Sequence, residues 1–453
     1  MKTYEVTIIG NGIIGTLTAY NLKKKNVCLL GPSKRPGSAS LASGAMLNVF
    51  GEVDYDTSTN NYLEQKIKVG VRSQQLWKKF KKKIKNKNNI FCADDTIIFK
   101  SKNSKLLEKK CFRAIAKYSK LYKIYSNNHI KLKQLKKSKN FKNIDTFLIK
   151  GEGALNSKKL FNFLDSEILK KIENLDTKAK SIKKKKNIYF IKLENNKTIK
   201  TKKIILCAGS FSKNILNESK FKILDLYYGL GSAIELIDSN KSLNNIIPKR
   251  TVIRSPNRGS TCGIHIVPRS KNNYYLGAGS SISHKPNYNH KSGTLSYLLN
   301  CAEKEIFGNI TKVDCKPVIG FRPISFDGKP MIGPINKDIF VATGTKRDGL
   351  TLGPTIVEYI KNWLKNDSFV DDNFKNWLPN REPISFGKQS FSTDVYVNNK
   401  IAGLLEHNDI KKKDIPRVTK ELQKESIKFH KKIIKLKKLK KDFGVHPELL
   451  NIF

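Results

Sequence analysis

The stretch YEVTIIGNGIIGTLTAYNLKKKNVCLLG, residues 4–31, constrains the fold of this chain more than any other. Val6, Ile8 and Ile9 read as a buried strand, and Gly10, Gly12 and Gly15 follow as G-x-G-x-x-G. The next residues, from Ile13 and Ile14 onward, carry apolar side chains at helical spacing, and VCLL is a second buried strand. Strand, glycine turn, helix and strand in that order predict a Rossmann-type α/β domain that binds a dinucleotide. The glycines allow a tight turn, bring backbone N–H groups close to a pyrophosphate, and let helix and strand pack closely. The alternative is a glycine turn that serves packing alone. The helix N-terminus supplies the positive dipole end that a diphosphate prefers. The stretch opens as a strand, so no secretory signal is expected, and no apolar run reaches the roughly 18 residues of a membrane span.

An acidic residue that would hold the adenosine ribose is expected at the end of the second strand. Gly31 stands there instead, followed by Pro32, Ser33, Lys34 and Arg35. Ser33 and backbone groups are the remaining candidates for the ribose. Lys34 and Arg35 alone would suit the 2′-phosphate of NADP. The following run, GSASLASGAMLNVFGE, argues against that, because a nicotinamide site has no need of so long a stretch of small residues.

Through that run the sequence resembles the FAD-dependent D-amino-acid oxidase superfamily, and the glycine oxidases within it. Members follow the second strand with an S-x-A-x-G-M-L stretch along the cofactor, which implies FAD contacts for Ser40, Ala42, Ser43, Gly44, Ala45 and Met46. TIKTKKIILCAGSFS resembles the strand that returns beneath the adenosine, implying Ala208 and Gly209. The antiparallel meander before it implies Ala179 near the adenine. GFRPISFDGKPMIGP and ATGTKRDGLTLGP resemble the C-terminal signature of the same enzymes. Arg322, Pro323, Asp327, Gly328, Pro330, Ile332 and Gly333 match its first half; Gly344, Arg347, Gly349, Leu352 and Pro354 match its second. Thr345 and Gly353 depart from the usual histidine and alanine.

The resemblance implies that Arg322 grips a substrate carboxylate, with Arg347 at the mouth of the site and Asp348, Gly349, Leu350 and Thr351 beside the flavin. The planar fork of arginine makes two parallel hydrogen bonds to a carboxylate, which lysine cannot. The alternative for Arg322 is a pairing with Asp327 that holds a turn. His265 occupies the place of a substrate-contacting aromatic, which implies a substrate other than glycine. Some relatives tether FAD through a cysteine seven residues before the signature aspartate. Here that residue is Gly320, so non-covalent FAD is expected.

Composition bears on partners. Lys and Arg number 87 against 38 Asp and Glu, for a net charge of +49, yet only eleven of the basic residues are arginine. The lysines are spread over the whole chain, as solvated faces under A/T-rich codon usage would be, so no specific nucleic acid is expected. The seven cysteines show no C-x-x-C pair, which suggests a reducing cytoplasm without disulfides or zinc. The expected organisation is a discontinuous FAD domain (1–77, 145–215, 320–365), a mostly helical insertion (78–144) and an antiparallel-sheet substrate domain (216–319). A basic, largely helical extension (366–453) follows. It would either dock on its own domain or meet a partner or anionic surface. The expected function is hydride transfer to FAD from the C–N bond of a small amino acid or amine, with dioxygen or another acceptor reoxidising the flavin. Two alternatives are a dehydrogenase of secondary amines or a biosynthetic intermediate, and a basic anion-surface-binding protein on an inert flavin fold. A homo-oligomer is compatible with either reading.

Overall fold

The computed structural model describes residues 2–22, 26–54, 61–85, 89–102, 104–258, 261–385, 393–407, 409–445 and 449. Its N-terminal stretch folds as strand Thr3–Ile9, helix Ile13–Asn21 and strand Val27–Leu30. The two strands pair in parallel, from Val6 with Val27 to Ile9 with Leu30. Thr198–Leu206 pairs in parallel on the other side of the first strand, and Ile339–Thr343 continues the sheet beyond it. Glu173–Leu175 closes the far edge in parallel with Val27–Leu30. Met331–Asn336 turns back against Ile339–Thr343, and the hairpin Ala179–Lys185 and Ile188–Leu193 lies antiparallel on Thr198–Leu206. These strands make an eight-stranded sheet.

Alternation along its strands feeds two cores. Ile8, Leu29, Ile205 and Phe340 face helices Ile13–Asn21, Ser157–Ile168 and Gly349–Lys365, meeting Leu17, Leu164, Ile356 and Ile360. Ile9, Leu30, Leu206 and Val341 face the opposite side with Ile191, Ile215 and Leu216.

A second eight-stranded sheet runs in the order Asp314–Ser325, Leu226–Ile237, Asn273–Ser283, His265–Pro268, Thr251–Arg254, Asp95–Phe99, Thr146–Ile149, Tyr125–Ser126. All its pairings are antiparallel except Thr251–Arg254 with Asp95–Phe99. The lysine-laden segment 78–144 therefore contributes strands as well as helices Leu106–Leu121 and Ile130–Leu135. Asp95–Phe99 is buried along both faces, so it has no alternation to betray it. Strand Asp314–Ser325 joins the two sheets: Phe321 N–H donates to Gly37 O at 2.9 Å, and Ser210 Oγ donates to Phe321 O at 3.1 Å.

The C-terminal extension contains helices Thr393–Glu406 and Ile415–Leu436. Tyr396, Val397, Ile401, Val418, Leu422 and Ile433 form one core with Tyr227 and Ile324 of the second sheet and with Phe326 just beyond its edge strand. The extension also completes a strand edge. His265–Pro268 covers strand Asn273–Ser283 only as far as Gly277. Beyond it, Glu406 Oε1 accepts from Ser280 N–H, and His407 Nε2 donates to Ser280 O at 3.1 Å. His407 Nδ1 accepts from Thr294 Oγ1 at 2.7 Å. No helix among the described residues is long and apolar enough to cross a membrane.

Candidate active site

A cleft of about 760 Å³ runs between the sheets, from the glycine turn to the middle of the second sheet. Gly10, with φ +107°, opens it: a Cβ there would stand 2.5 Å from Ala208 N. Gly15 lies below the cleft and lets the helix meet the turn, because a Cβ would stand 1.8 Å from Gly10 O. Gly12 serves space rather than packing, since its Cβ would meet nothing closer than Ser40 Oγ at 3.8 Å. Ile13 and Ile14 at one helix N-terminus, and Gly349, Leu350 and Thr351 at another, line the cleft. So do Ser40, Ala42, Ser43, Gly44, Ala45, Met46, Ala179, Ala208, Gly209 and Asp348. Two helix N-termini and a cradle of missing side chains suit an extended diphosphate cofactor.

Ser33 and Lys34 stand outside the lining. The Ser33 N–H and hydroxyl both donate to Asp176, at 2.8 and 2.7 Å. The glycine at position 31 has a steric reason. A Cβ there would collide with the Asn11 side chain at 2.5 Å, and Asn11 Nδ2 donates to Pro32 O at 3.0 Å. Asn11, which itself lines the cleft, fills the place of the expected acid.

At the far end Arg322, Arg347 and His265 meet. Arg322 Nη1 donates to Ser280 Oγ at 3.0 Å and Nη2 to Gly279 O at 3.3 Å. Its guanidinium lies over Gly231, where a Cβ would stand 2.7 Å from Nη2. Asp327 is not its partner: that carboxylate is 1 % exposed and pairs with Arg381 at 2.8 Å. Among the described residues Arg322 has no carboxylate partner, whereas eight other arginines each pair with Asp or Glu.

His265 Nδ1 lies 2.9 Å from Gly263 O, which can only accept, so Nδ1 carries the proton. Nε2 then offers a lone pair beside Gly277 and Gly44, where Cβ atoms would stand 2.4 and 3.4 Å away. Burial, helped by Arg254, takes the His265 pKa down to about 3, so the ring is neutral near pH 7. Tyr275 stacks on it at 5.8 Å, and burial pushes its hydroxyl up to about 12.

Arg254 and Glu52 also line this end, and sequence reasoning missed both. Arg254 is 1 % exposed. Its Nη1 donates to Glu52 Oε1 at 2.9 Å, and Arg347 Nη1 approaches Glu52 Oε2 at 3.7 Å. Burial alone would raise the Glu52 pKa, but Arg347, Arg254 and Lys66 outweigh it and hold the carboxyl well below the usual range. Glu152 fixes the loop carrying Glu52 by accepting from the N–H groups of Val49, Phe50 and Gly51 at 2.6–3.0 Å. The signal available in the sequence was the arginine itself, retained at position 254 in a chain that prefers lysine.

Known proteins share this architecture. The glycine oxidase from Geobacillus kaustophilus superposes with a TM-score of 0.70 at 18% identity, over 84% of this chain and 100% of that one. The L-proline dehydrogenase from P. horikoshii gives 0.67 at 15%, over 84% and 98%. The L-alpha-glycerophosphate oxidase from Mycoplasma pneumoniae, with FAD bound, gives 0.59 at 19%, over 85% and 100%. No curated protein matches the sequence. The profile described as FAD dependent oxidoreductase matches residues 5–363, and by that match, over a cleft shaped for an extended diphosphate, the chain belongs to the FAD dependent oxidoreductase family, with FAD as its cofactor.

Proposed function

We propose that the chain oxidises the carbon–nitrogen bond of a small amino acid or amine, with Arg322 holding the substrate carboxylate. The observation that carries this reading is Arg322 itself: a guanidinium on the cleft wall whose protein partners are a hydroxyl and a carbonyl, both neutral. A carboxylate arriving there gains a charge-assisted bidentate pair. Gly10, Gly12, Ile13, Ile14, the run Ser40–Met46, Ala179, Ala208, Gly209 and the turn Asp348–Thr351 would hold FAD. When bound, FAD supplies the acceptor for a hydride leaving the carbon beside nitrogen.

The protein's own part is orientation and exclusion of water. Arg322 fixes one end of the substrate. The neutral His265, with its Nε2 lone pair, accepts a hydrogen bond from the substrate amine and favours its uncharged form. A ring with so low a pKa is a poor proton carrier, so its role is positioning. The substrate imine then hydrolyses in water to an oxo acid, and dioxygen or another acceptor closes the cycle. A Cβ at Gly320 would stand 2.7 Å from Ala42 Cβ, which supports non-covalent FAD because a cysteine would not fit there.

The test is an anaerobic screen of amino acids and N-methyl amines for bleaching of the flavin. Bleaching by at least one carboxylate-bearing amine is expected. If dithionite bleaches the flavin and none of these compounds does, the reading fails. Salt-sensitive RNA binding in the same preparation would then favour an anion-binding protein.

A further inference from the structure

Two residues of the C-terminal extension reach the support of Arg322. Glu406 ends helix Thr393–Glu406, and His407 follows it. Both lie beyond residue 363, where the match to the family profile ends. Arg322 stands on strand Asp314–Ser325, and the two groups that accept from its guanidinium belong to consecutive residues of strand Asn273–Ser283, Gly279 O and Ser280 Oγ. Each Nη nitrogen carries two N–H groups, so one can be fixed to this wall while the other faces the cleft. The direction of the fork therefore depends on where the Gly279–Ser280 backbone lies.

That backbone is held from both sides. Strand Leu226–Ile237 pairs with it, Gly231 opposite Ser280 and Ser232 opposite Gly279. On the other side the neighbouring strand has ended, and the N–H and C=O of Ser280 go to the extension. Glu406 Oε1 accepts from the first, and His407 Nε2 donates to the second at 3.1 Å. Ser280 O can only accept, so Nε2 carries the proton and Nδ1 accepts from Thr294 Oγ1 at 2.7 Å. Thr294 belongs to helix Ser292–Cys301, which packs directly on the same backbone: a Cβ at Gly279 would stand 2.2 Å from Thr294 Cγ2. Glu406 is buried, and burying a carboxylate is costly, whereas water would satisfy an open strand edge. The arrangement thus fixes the position of Ser280 as well as capping its backbone groups.

We infer that Glu406 and His407 are positioning residues for the substrate site: they set the Gly279–Ser280 backbone and, through it, the aim of the Arg322 fork. This rests on the reading above that Arg322 takes a carboxylate. The extension is then a working part of the substrate site and not only a layer docked on the second sheet. A strand end without such support frays. A fork that moves with it meets a carboxylate with one N–H where two were aligned.

The experiment uses the full-length, FAD-loaded enzyme and two unreactive carboxylates, acetate and butyrate, with binding followed by the shift in flavin absorbance. Arg322→Met reports on the anchoring reading and should bind both at least about tenfold more weakly. His407→Leu and Glu406→Ala should weaken carboxylate binding by about tenfold, the lower bound for one hydrogen bond to a charged group, with FAD content unchanged. His407→Gln, whose amide N–H can replace Nε2, should recover affinity to within about threefold of the parent. Thr294→Val keeps the shape and removes only the hydroxyl that orients the imidazole. It should weaken binding by about threefold or more, and it carries the test if the other variants fail to fold. Acetamide and butyramide are the neutral controls and should bind variants and parent alike. If Arg322→Met loses carboxylate binding while His407→Leu, Glu406→Ala and Thr294→Val keep it, the inference is wrong and the anchoring reading stands. Equal losses for amides and carboxylates also overturn it, because a merely structural role would have that effect. If Arg322→Met binds carboxylates as the parent does, the anchoring reading fails and the inference falls with it. The expected pattern of binding with no reduction by any amine supports the inference while sinking amine oxidation.

Discussion

Gly231→Ala tests Arg322 without touching its charge. The added Cβ would stand 2.7 Å from Nη2, 2.9 Å from Cζ and 2.9 Å from Nε, so the guanidinium must move. Moving it breaks the bonds to Ser280 Oγ and Gly279 O that aim the fork. A displaced fork presents one N–H where two were aligned, a loss on the order of 1.5–3 kcal/mol for a hydrogen bond to a charged group. At about 1.4 kcal/mol per decade, flavin reduction at subsaturating substrate should slow roughly ten- to a hundredfold. Arg322→Lys should fall in the same range, because it keeps the charge and loses the fork. The assay is stopped-flow reduction under nitrogen, with FAD content measured from the oxidised spectrum. An amine without a carboxylate provides the control and should be nearly indifferent to either substitution. If both variants reduce as fast as the parent with a carboxylate substrate, the guanidinium is structural and the anchoring argument is wrong.

Acid precipitation should release yellow flavin into the supernatant, given the contact between position 320 and Ala42; flavin retained in a washed pellet would show a covalent bond. His265 should make the protein acid-sensitive. Its folded pKa of about 3 lies below the ordinary 6.5, so between those values the unfolded chain binds a proton that the folded chain does not. That contribution is whole above pH 6.5 and falls by about 2 kcal/mol by pH 5. His407, lowered chiefly by burial, acts in the same direction, so denaturant titrations of His265→Gln should lose only part of the slope. Deleting residues 417–453 removes the buried Val418, Leu422 and Ile433 and should cost on the order of 4 kcal/mol or more while leaving turnover per bound flavin unchanged. Glu406→Ala should instead raise KM for a carboxylate substrate, because Glu406 holds the Ser280 peptide whose hydroxyl orients Arg322.

Local patterns made one wall of the cleft legible. The glycine spacing, the small-residue run and the strand ending at Ala208 and Gly209 are each recognisable within a few neighbours, and all reach the same cleft. Fixed spacings surround Arg322 in the sequence, and the structure places it on the cleft wall. Arg254 and Glu52 were not legible: they meet across 202 residues, and no periodicity records such a pairing. The same holds for Asp327, whose partner Arg381 lies 54 residues on, beyond the recognisable signature. Nor does any local pattern record that the Ser33 hydroxyl donates to Asp176, 143 residues further along the chain. Strand Asp95–Phe99 was hidden by surrounding lysines and by its own burial on both faces.

The clamp on Ser280 also orders the enzyme's maturation. His407 follows Ser280 by 127 residues, so at roughly 5–20 residues per second a ribosome needs on the order of ten seconds to deliver it. During that interval strand Asn273–Ser283 has its last backbone groups unpaired on one side, an edge that invites association with other nascent chains. Every residue lining the cleft, through Thr351, is made before the clamp. Arg322, whose Nη1 donates to Ser280 Oγ, thus leans on a strand end whose own support comes from residues 406 and 407, near the end of the chain.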